Sequence, residues 1–367
     1  MTGSGEVLAQ RSAVAGIVDV ILPAGIDDPA RPSGGNAYDR RLCRELARAR
    51  WTVREHQLAG AWPSPRDRDR DALARVLGRA PKSGLVLVDG LVASTAPEEL
   101  LGAARRGVRL VVLVHLPLGV AASPGSPIAG RERAALAAAD ALIVTSRWTR
   151  DWLVEHYQLP VERLHVAEPG VDAAGLSRPA PGGGRLLCVG AIAPHKGQDV
   201  LLTALALLAE GPWRCLLIGP EADSSYARSV RDQVAAPRLR ERVELIGPVT
   251  AAELAALYAD TDLVVAPSRI ETYGMVVSEA LARGIPVVAT TAGGLPRTVG
   301  LAADGTCPGL LVPPDDPVAL AVALRRWLTD ETLRHRLRAA AVARRGGLPT
   351  WSATGERVAA TLTGLAA

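Results

Sequence analysis

The chain has 367 residues, of which 48% are hydrophobic and 22% charged, and its formal net charge is +4 at pH 7. This length and apolar content suffice for two domains with separate cores, and the small net charge argues against a nucleic-acid partner. No window approaches about 18 uninterrupted apolar residues, and no basic flank precedes an apolar stretch at the N-terminus. We therefore expect a cytoplasmic protein without a transmembrane segment.

Short apolar runs alternate with amphipathic segments along the whole chain. They cover residues 17–22, 85–88, 110–114, 141–144, 186–189, 216–218, 243–246, 263–265 and 287–289. This alternation predicts βαβ units with parallel sheets. The clearest break in composition, the Pro- and Gly-rich stretch 177–184, lies between the fourth and fifth runs and predicts an interdomain linker.

The predicted architecture is therefore α/β, with two doubly wound domains that face a cleft. We assign residues 1–182 to the N-terminal domain and residues 183–349 to the C-terminal domain. A last helix-like segment within residues 350–367 follows the Gly-Gly-Leu-Pro break and could pack back on the N-terminal domain.

Two glutamates flank the predicted helix that follows the run at 263–265. Glu271 lies in the loop and Glu279 on the helix itself. A helix N-terminus offers N–H groups and a positive dipole end to phosphate, whereas carboxylates suit sugar or ribose hydroxyls. Because ligands of open α/β sheets bind at the carboxyl ends of strands, the pair predicts a nucleotide-sugar site. Alternatively, Glu271 caps the helix and Glu279 is solvated surface.

This segment belongs to an ordered series of matches that resembles glycosyltransferase family 4. The matching segments are residues 33–37, 189–190, 196–197, 245–249, 271–290, 292–296 and 309–314. A series in this order is far more specific than a single glycine motif. The resemblance spans nearly the whole chain and implies a GT-B fold, in which two Rossmann-like domains enclose the site of a retaining sugar transfer.

The resemblance also implies roles for residues of the C-terminal half. Glu271 would contact the transferred sugar, Glu279 would hold the ribose, and Lys196 would neutralise the diphosphate. Lys196 is one of only two lysines in the chain. The main chain of Val249 would touch the base. The backbone N–H groups that would meet sugar or diphosphate are those of Thr272, Tyr273, Gly274 and Met275.

In the N-terminal half, Gly34 and Gly35 precede a helix-like run and would let the backbone approach the diphosphate. A plain turn is the alternative for this pair. His115 follows the run at 110–114 and resembles a histidine that lies beside the reacting sugar in this family. The alternative for His115 is a residue that caps a strand end.

Two departures from the family pattern concern charge. Ala191 stands where an arginine usually follows the Val-Gly pair, so half of the expected diphosphate clamp is missing. Arg297 stands where a glutamate usually follows Gly-Gly-x-Pro. We hypothesise that Arg297 or Arg269 supplies the lost positive charge.

The implied function is transfer of a hexose from a nucleoside-diphosphate sugar, with a UDP-sugar favoured, to a hydroxyl of a small-molecule acceptor. Neither a metal nor another cofactor is expected. Asp67, Asp69 and Asp71 form an Asp-x-Asp pattern typical of metal-dependent glycosyltransferases. Since alternating charges open a helix there, we interpret the pattern as a solvated helix start.

Three alternative functions stay open. A GDP-mannose- or UDP-sugar-dependent transferase could act on a membrane lipid or polysaccharide precursor, because Arg40, Arg44 and Arg48 could form a basic face for peripheral membrane contact. A nucleotide-sugar epimerase and an inactive sugar-nucleotide binding module are the others. A dehydrogenase is disfavoured because residues 189–197 lack Gly-x-Gly-x-x-Gly.

Overall fold

The computed structural model describes residues 15–122, 126–208 and 211–366. The N-terminal segment behind our expectation of a cytoplasmic protein lies outside these residues. In the described part of the chain, no helix has both the length and the apolar character needed to cross a membrane.

Two six-stranded parallel sheets form the framework, one in each half of the chain. The first has the order β2-β1-β3-β4-β5-β6 and the second the order β12-β11-β10-β7-β8-β9. The first contains β1 (Gly16–Pro23), β2 (Trp51–Leu58), β3 (Leu85–Asp89), β4 (Arg109–Val114), β5 (Ala141–Val144) and β6 (Leu164–Val166). The second contains β7 (Arg185–Val189), β8 (Arg214–Ile218), β9 (Val243–Gly247), β10 (Leu263–Ala266), β11 (Val287–Thr290) and β12 (Gly309–Val312).

Helices cover both faces of each sheet, which buries the continuous apolar runs of the inner strands. The helices of the first half are α1 (Gly34–Arg48), α2 (Asp67–Arg79), α3 (Gly90–Ala93), α4 (Pro97–Arg105), α5 (Pro127–Ala137) and α6 (Arg147–Tyr157). Those that follow are α7 (Gln198–Ala206), α8 (Ser224–Val234), α9 (Ala251–Ala259), α10 (Met275–Ala282), α11 (Leu295–Val299), α12 (Pro317–Thr329), α13 (Glu331–Arg344) and α14 (Trp351–Ala366). The two-sheet α/β architecture confirms the predicted fold class.

All nine predicted apolar runs lie in strands, whereas β2, β6 and β12 were not predicted as strands. Each of the three is an edge strand. β2, for example, exposes Thr52, Arg54 and Glu55, because an edge is only partly covered and needs no continuous apolar run.

The last helix returns to the first half of the chain. Trp351, Val358 and Leu362 of α14 join the buried cluster that contains Tyr38 and Leu42 of α1. A Cβ at Gly355 would lie 2.4 Å from the Glu45 Cβ, so the two helices cross in close contact. The chain itself passes from one sheet to the other between β6 and β7. The domain boundaries at 182/183 and 349/350 stay our prediction.

Candidate active site

Lys196 and Glu271 meet at the carboxyl ends of two neighbouring strands of the second sheet. Lys196 ends a short 3-10 turn after β7, and Glu271 lies in the loop after β10. Lys196 Nζ donates a hydrogen bond to Glu271 Oε2 at 2.6 Å. The turn packs closely against the loop after β10, since Gly197 has φ +69° and a Cβ there would lie 2.2 Å from the Pro267 carbonyl oxygen. The two loops therefore hold a partly exposed ion pair at the carboxyl ends of β7 and β10.

The loop from Glu271 to Gly274 leads into α10 and leaves backbone donors free. Among the described residues, the N–H groups of Thr272, Tyr273, Gly274, Met275 and Val276 have no acceptor. Gly274 has φ +87° and no side-chain cap, which keeps the helix N-terminus open. Free N–H groups at a helix N-terminus attract phosphate or carboxylate oxygens.

The shape of this loop depends on a second loop that packs behind it. Gly294 N–H donates to the Glu271 carbonyl oxygen at 2.9 Å. Gly293 has φ +55°, and a Cβ there would lie 1.9 Å from the same oxygen. Thr298 donates its hydroxyl to the Tyr273 carbonyl oxygen. The Gly-Gly-Leu-Pro segment thus fixes the backbone that carries Glu271.

Glu279 lies one helical turn beyond the start of α10 and is partly buried. Tyr258 donates its hydroxyl to Glu279 Oε2 at 2.9 Å. The Arg283 guanidinium lies 4.6 Å from the centre of the Tyr258 ring. Burial raises the pKa of Glu279, although the Tyr258 hydrogen bond and Arg283 oppose the shift. Glu279 is therefore held in one orientation, with hydrogen-bonding capacity left on its carboxylate.

Across the cleft, the N-terminus of α1 faces both His115 and α10. A Cβ at Gly34 would lie 3.3 Å from Met275 Sδ, and one at Gly35 would lie 3.3 Å from His115 Cδ2. Larger residues at 34 and 35 would therefore crowd these neighbours. The structure thus brings together Gly34, Gly35, His115 and Met275, which are four of the predicted site residues.

His115 belongs to a buried cluster with two aspartates that sequence reasoning missed. His115 Nε2 lies 2.8 Å from Asp39 Oδ1 on α1 and 3.5 Å from Asp89 Oδ2 at the end of β3. Both aspartates are only 2% exposed. Two signals in the sequence could have found them: Asp89 directly ends an apolar run, as His115 does, and Asp39 lies on the apolar face of a helix.

Burial and the neighbouring charges in this cluster shift the pKa values of Asp89 and His115. Burial raises the pKa of Asp89 to about 7, and the nearby Asp39 charge adds to this shift while His115 opposes it. Burial alone would lower the pKa of His115, but the charge and hydrogen bond of Asp39, with help from Asp89, raise it overall. Proton uptake near neutral pH is therefore shared within this cluster.

Asp39, Asp89 and His115 are also the set of described residues whose ligand atoms could hold one cation, since these atoms lie within 4.8 Å of one another. In this structure, two of these ligand atoms, His115 Nε2 and Asp39 Oδ1, form a direct hydrogen bond with each other. The Asp-x-Asp pattern at 67–71 opens α2, where Asp69 accepts the Arg66 N–H at 3.0 Å.

The two arginines proposed to replace the charge missing at Ala191 have different surroundings. Arg269 pairs with Asp199 at 2.8 Å and with Asp315, and its Nη1 donates to the Pro194 carbonyl oxygen at 2.7 Å. Its charge is therefore neutralised locally, and it braces the turn that carries Lys196. Arg297 is exposed and forms no hydrogen bond or ion pair with Lys196 or Glu271 among the described residues.

Val249 and the three arginines of α1 are the remaining predicted residues. Val249 precedes the N-cap of α9 and packs partly against the core cluster that contains Tyr258. Of the three arginines proposed as a basic face, Arg40 pairs with Asp27 and Glu55, and Arg48 pairs with Glu45. Only Arg44 among them has no carboxylate partner within the described residues, so α1 lacks a strongly basic face.

Comparison with known families assigns both halves of the chain. The model described as "Glycosyl transferases group 1" matches residues 179–344, and the model described as "Glycosyltransferase Family 4" matches residues 88–174. Together they span more than half of the chain.

Curated relatives agree with the family models. A D-inositol 3-phosphate glycosyltransferase of Kineococcus radiotolerans is 37% identical over 65% of this chain and 60% of its own length. A relative of the same name from Catenulispora acidiphila is 33% identical over 81% of this chain and 78% of its own length. The match thus spans less than two thirds of the first relative and more than three quarters of the second.

Solved structures share the fold at low sequence identity. The sucrose-phosphate synthase of Thermosynechococcus elongatus superposes with a TM-score of 0.74 at 22% identity, covering 94% of this chain and 98% of that chain. HepE of Anabaena, solved in complex with UDP-glucose, gives a TM-score of 0.73 at 20% identity, covering 94% and 99%. The chain belongs to glycosyltransferase family 4 and has the GT-B fold of two Rossmann-like domains.

Proposed function

We propose that the protein transfers a sugar from a nucleoside-diphosphate sugar to a hydroxyl of a small-molecule acceptor, with retention of configuration at the sugar carbon. The observation that carries this proposal is the Lys196–Glu271 pair beside the free N–H groups at the start of α10. At the carboxyl ends of these strands, the site offers one cation and several N–H donors for a diphosphate, and a carboxylate for the sugar bonded to it.

In this proposal the diphosphate lies on the α10 N-terminus, next to Lys196. Negative charge grows on the diphosphate as its bond to the sugar carbon breaks. Lys196 and the N–H groups from Thr272 to Met275 stabilise that charge more in the transition state than in the ground state. The α1 N-terminus at Gly34 and Gly35 adds a second positive dipole end from across the cleft.

The acceptor hydroxyl forms its bond to the sugar carbon on the face from which the diphosphate departs. Its proton passes to an oxygen of the leaving phosphate, so the reaction requires neither a protein base nor a metal ion. Glu271 accepts hydrogen bonds from the hydroxyls of the transferred sugar. Glu279, oriented by Tyr258, holds the ribose.

His115 would face the reacting sugar from the first half of the chain. When Asp39 is ionised it can only accept, so Nε2 of His115 donates to it and Nδ1 is left as the nitrogen for a ligand. Asp39 is in this view a positioning residue, because it fixes the ring without touching the substrate itself.

Two observations favour a UDP-sugar and a small polar acceptor. HepE, which shares the fold, was solved with UDP-glucose. The curated relatives act, by name, on D-inositol 3-phosphate, a small compound with many hydroxyls. The paired arginines of α1 give little support to the lipid alternative.

A thermal-shift screen against UDP-, GDP-, ADP- and dTDP-sugars tests the donor part of the proposal. We expect one nucleotide series, that of UDP, to raise the melting temperature, equally with and without EDTA. Stabilisation by none of the four series would contradict a nucleotide-sugar site, and stabilisation lost in EDTA would contradict metal independence. Product analysis then separates the functions, since transfer releases free nucleoside diphosphate and epimerisation releases an altered sugar nucleotide.

A further inference from the structure

A cavity of about 270 Å³ lies between the two halves of the chain, apart from the Lys196–Glu271 pair. From the first half it is lined by Ser146, Arg147 and Glu168, and from the second by Tyr273, Arg297 and Arg344. None of Lys196, Glu271, Glu279 or His115 lines it. Tyr273 belongs to the loop that leads into α10, so the cavity borders the donor site without containing Lys196, Glu271 or Glu279.

The cavity carries an excess of positive charge. Three arginines line it against one carboxylate, that of Glu168. Among the described residues, Arg147, Arg297 and Arg344 form no ion pair, whereas Arg40 and Arg269 elsewhere in the chain are each held by two carboxylates. Three unpaired guanidinium groups around one space repel one another unless an anion lies between them.

One of these arginines has a buried donor without an acceptor. Arg344 Nε is shielded from solvent and has no hydrogen-bond partner. Its guanidinium packs against Gly300 and Gly347, where a Cβ would lie 3.0 Å and 2.9 Å from its nitrogens. Nε lies against Gly300, which is not among the residues that line the cavity, so what Arg344 offers a ligand there is its positive charge.

A helix N-terminus points into the same space. α6 has 11 residues and begins at Arg147. Its N-cap Ser146 accepts the Thr149 N–H at 3.0 Å, which leaves the N–H groups of Arg147 and Trp148 without an acceptor among the described residues. The helix dipole thus adds to the arginine charges.

We propose that this cavity is an anion site for a phosphate group, either inorganic phosphate or the phosphate of a monoester, held jointly by Arg147 of the first half and Arg297 and Arg344 of the second. At about 30 Å³ per water molecule the cavity has room for a tetrahedral dianion with a small organic group. Planar guanidinium groups bind phosphate oxygens in pairs, which suits a cavity lined by three arginines. Because the ligand contacts both halves, its binding ties them together. The inference does not depend on the identity of the donor.

Calorimetric titration with inorganic phosphate tests the site on the full chain. We expect binding to the wild type, and a dissociation constant at least about tenfold weaker in Arg297→Ala and in Arg147→Ala. Arg344 is left intact because it packs against glycine backbone. Arg228→Ala is the matched control, since Arg228 is exposed, lies on α8 and has no side-chain partner among the described residues.

Two further arms separate this site from the donor site and separate the two ligand sources. Lys196→Ala should bind phosphate with the affinity of the wild type. If Lys196→Ala instead loses about tenfold in phosphate affinity while Arg297→Ala loses none, the phosphate binds at the donor diphosphate position and the inference is overturned. Glucose 6-phosphate, compared with glucose, tests the monoester. Arginine-dependent binding of either phosphate compound supports the site and identifies its ligand, whereas binding of neither to the wild type overturns it.

Discussion

Lys196 Nζ lies 2.6 Å from Glu271 Oε2, so two loops that are 75 residues apart in sequence meet at one hydrogen bond. The lysine is 26% exposed and the glutamate 16%, so both remain within reach of a ligand in the cleft. Position 191 is an alanine, and Lys196 is the cation that contacts the loop leading into α10. The pair preorganises a positive charge and an acceptor before the donor arrives.

We predict that Lys196→Ala lowers kcat/KM for the donor by about a hundredfold, because one fixed donor to the departing diphosphate is lost. The change should weaken UDP binding as well, since the diphosphate is present in both ligands. Steady-state kinetics and UDP titration measure the two effects.

Lys82→Ala is the matched control for this substitution. Lys82 is the only other lysine in the chain. It is exposed and precedes β3, near the amino end of that strand. Wild-type kinetics in Lys82→Ala, together with wild-type kinetics in Lys196→Ala, would remove the lysine from the proposal.

Arg269 is predicted to act through Lys196. Its bonds to Asp199, Asp315 and the Pro194 carbonyl oxygen brace the turn that carries the lysine. Arg269→Ala should therefore weaken UDP binding by itself but add little in the Lys196→Ala background. A double-mutant cycle measures this coupling; fully additive losses would mean that Arg269 contacts the donor independently.

The activity profile should depend on pH through the bond between Asp39 and His115. The charge and hydrogen bond of Asp39 outweigh burial and raise the pKa of His115. Asp39→Asn removes that charge, so the limb of the kcat/KM profile controlled by His115 should move to lower pH. If Asp39→Asn is folded and its kcat/KM profile between pH 5 and 9 is unshifted, Asp39 does not influence the protonation of His115.

Stability should fall as pH rises toward neutrality, and Asp89 should account for part of the fall. Its pKa is about 7 in the folded protein, compared with about 3.9 for an unfolded aspartate. Between these values the folded state binds more protons than the unfolded state, so the free energy of unfolding decreases with rising pH. His115, with its raised pKa, acts in the same direction above about pH 6.5.

Asp89→Asn cannot ionise and should flatten that decline. Melting temperatures of wild type and variant at pH 5, 6, 7 and 8 measure the difference. The raised pKa of Glu279 contributes equally to both proteins and cancels. Parallel declines in the two proteins would mean that Asp89 does not ionise in this range.

The inner strands could be predicted from sequence because both faces of a parallel sheet are buried, which demands continuous apolar runs such as residues 85–88 of β3. The edge strands β2, β6 and β12 could not; in β2, for example, only the two end residues are buried and the strand carries charged residues. Ladder hydrogen bonds to β1 determine its conformation, and such bonds leave no local pattern in the sequence.

The candidate site divides in the same way. Glu271, Glu279 and the open start of α10 lie in one contiguous segment, so their relative positions could be predicted from the sequence. The Asp39–Asp89–His115 cluster joins a helix and two strand ends that are distant in sequence, and only the strand order of the first sheet brings them together. Arg147, Arg297 and Arg344 are also distant in sequence, and they line one cavity only because the two halves of the chain pack against each other.

In the proposed site, Glu271 holds the transferred sugar and Glu279 the ribose. Calorimetric titration of UDP and of UDP-glucose into wild type, Glu271→Ala and Glu279→Ala distinguishes these two roles. We predict that Glu271→Ala binds UDP as the wild type does but loses at least about tenfold in affinity for UDP-glucose, whereas Glu279→Ala loses affinity for both ligands by the same factor. Equal losses for UDP and UDP-glucose in both variants would contradict the assignment.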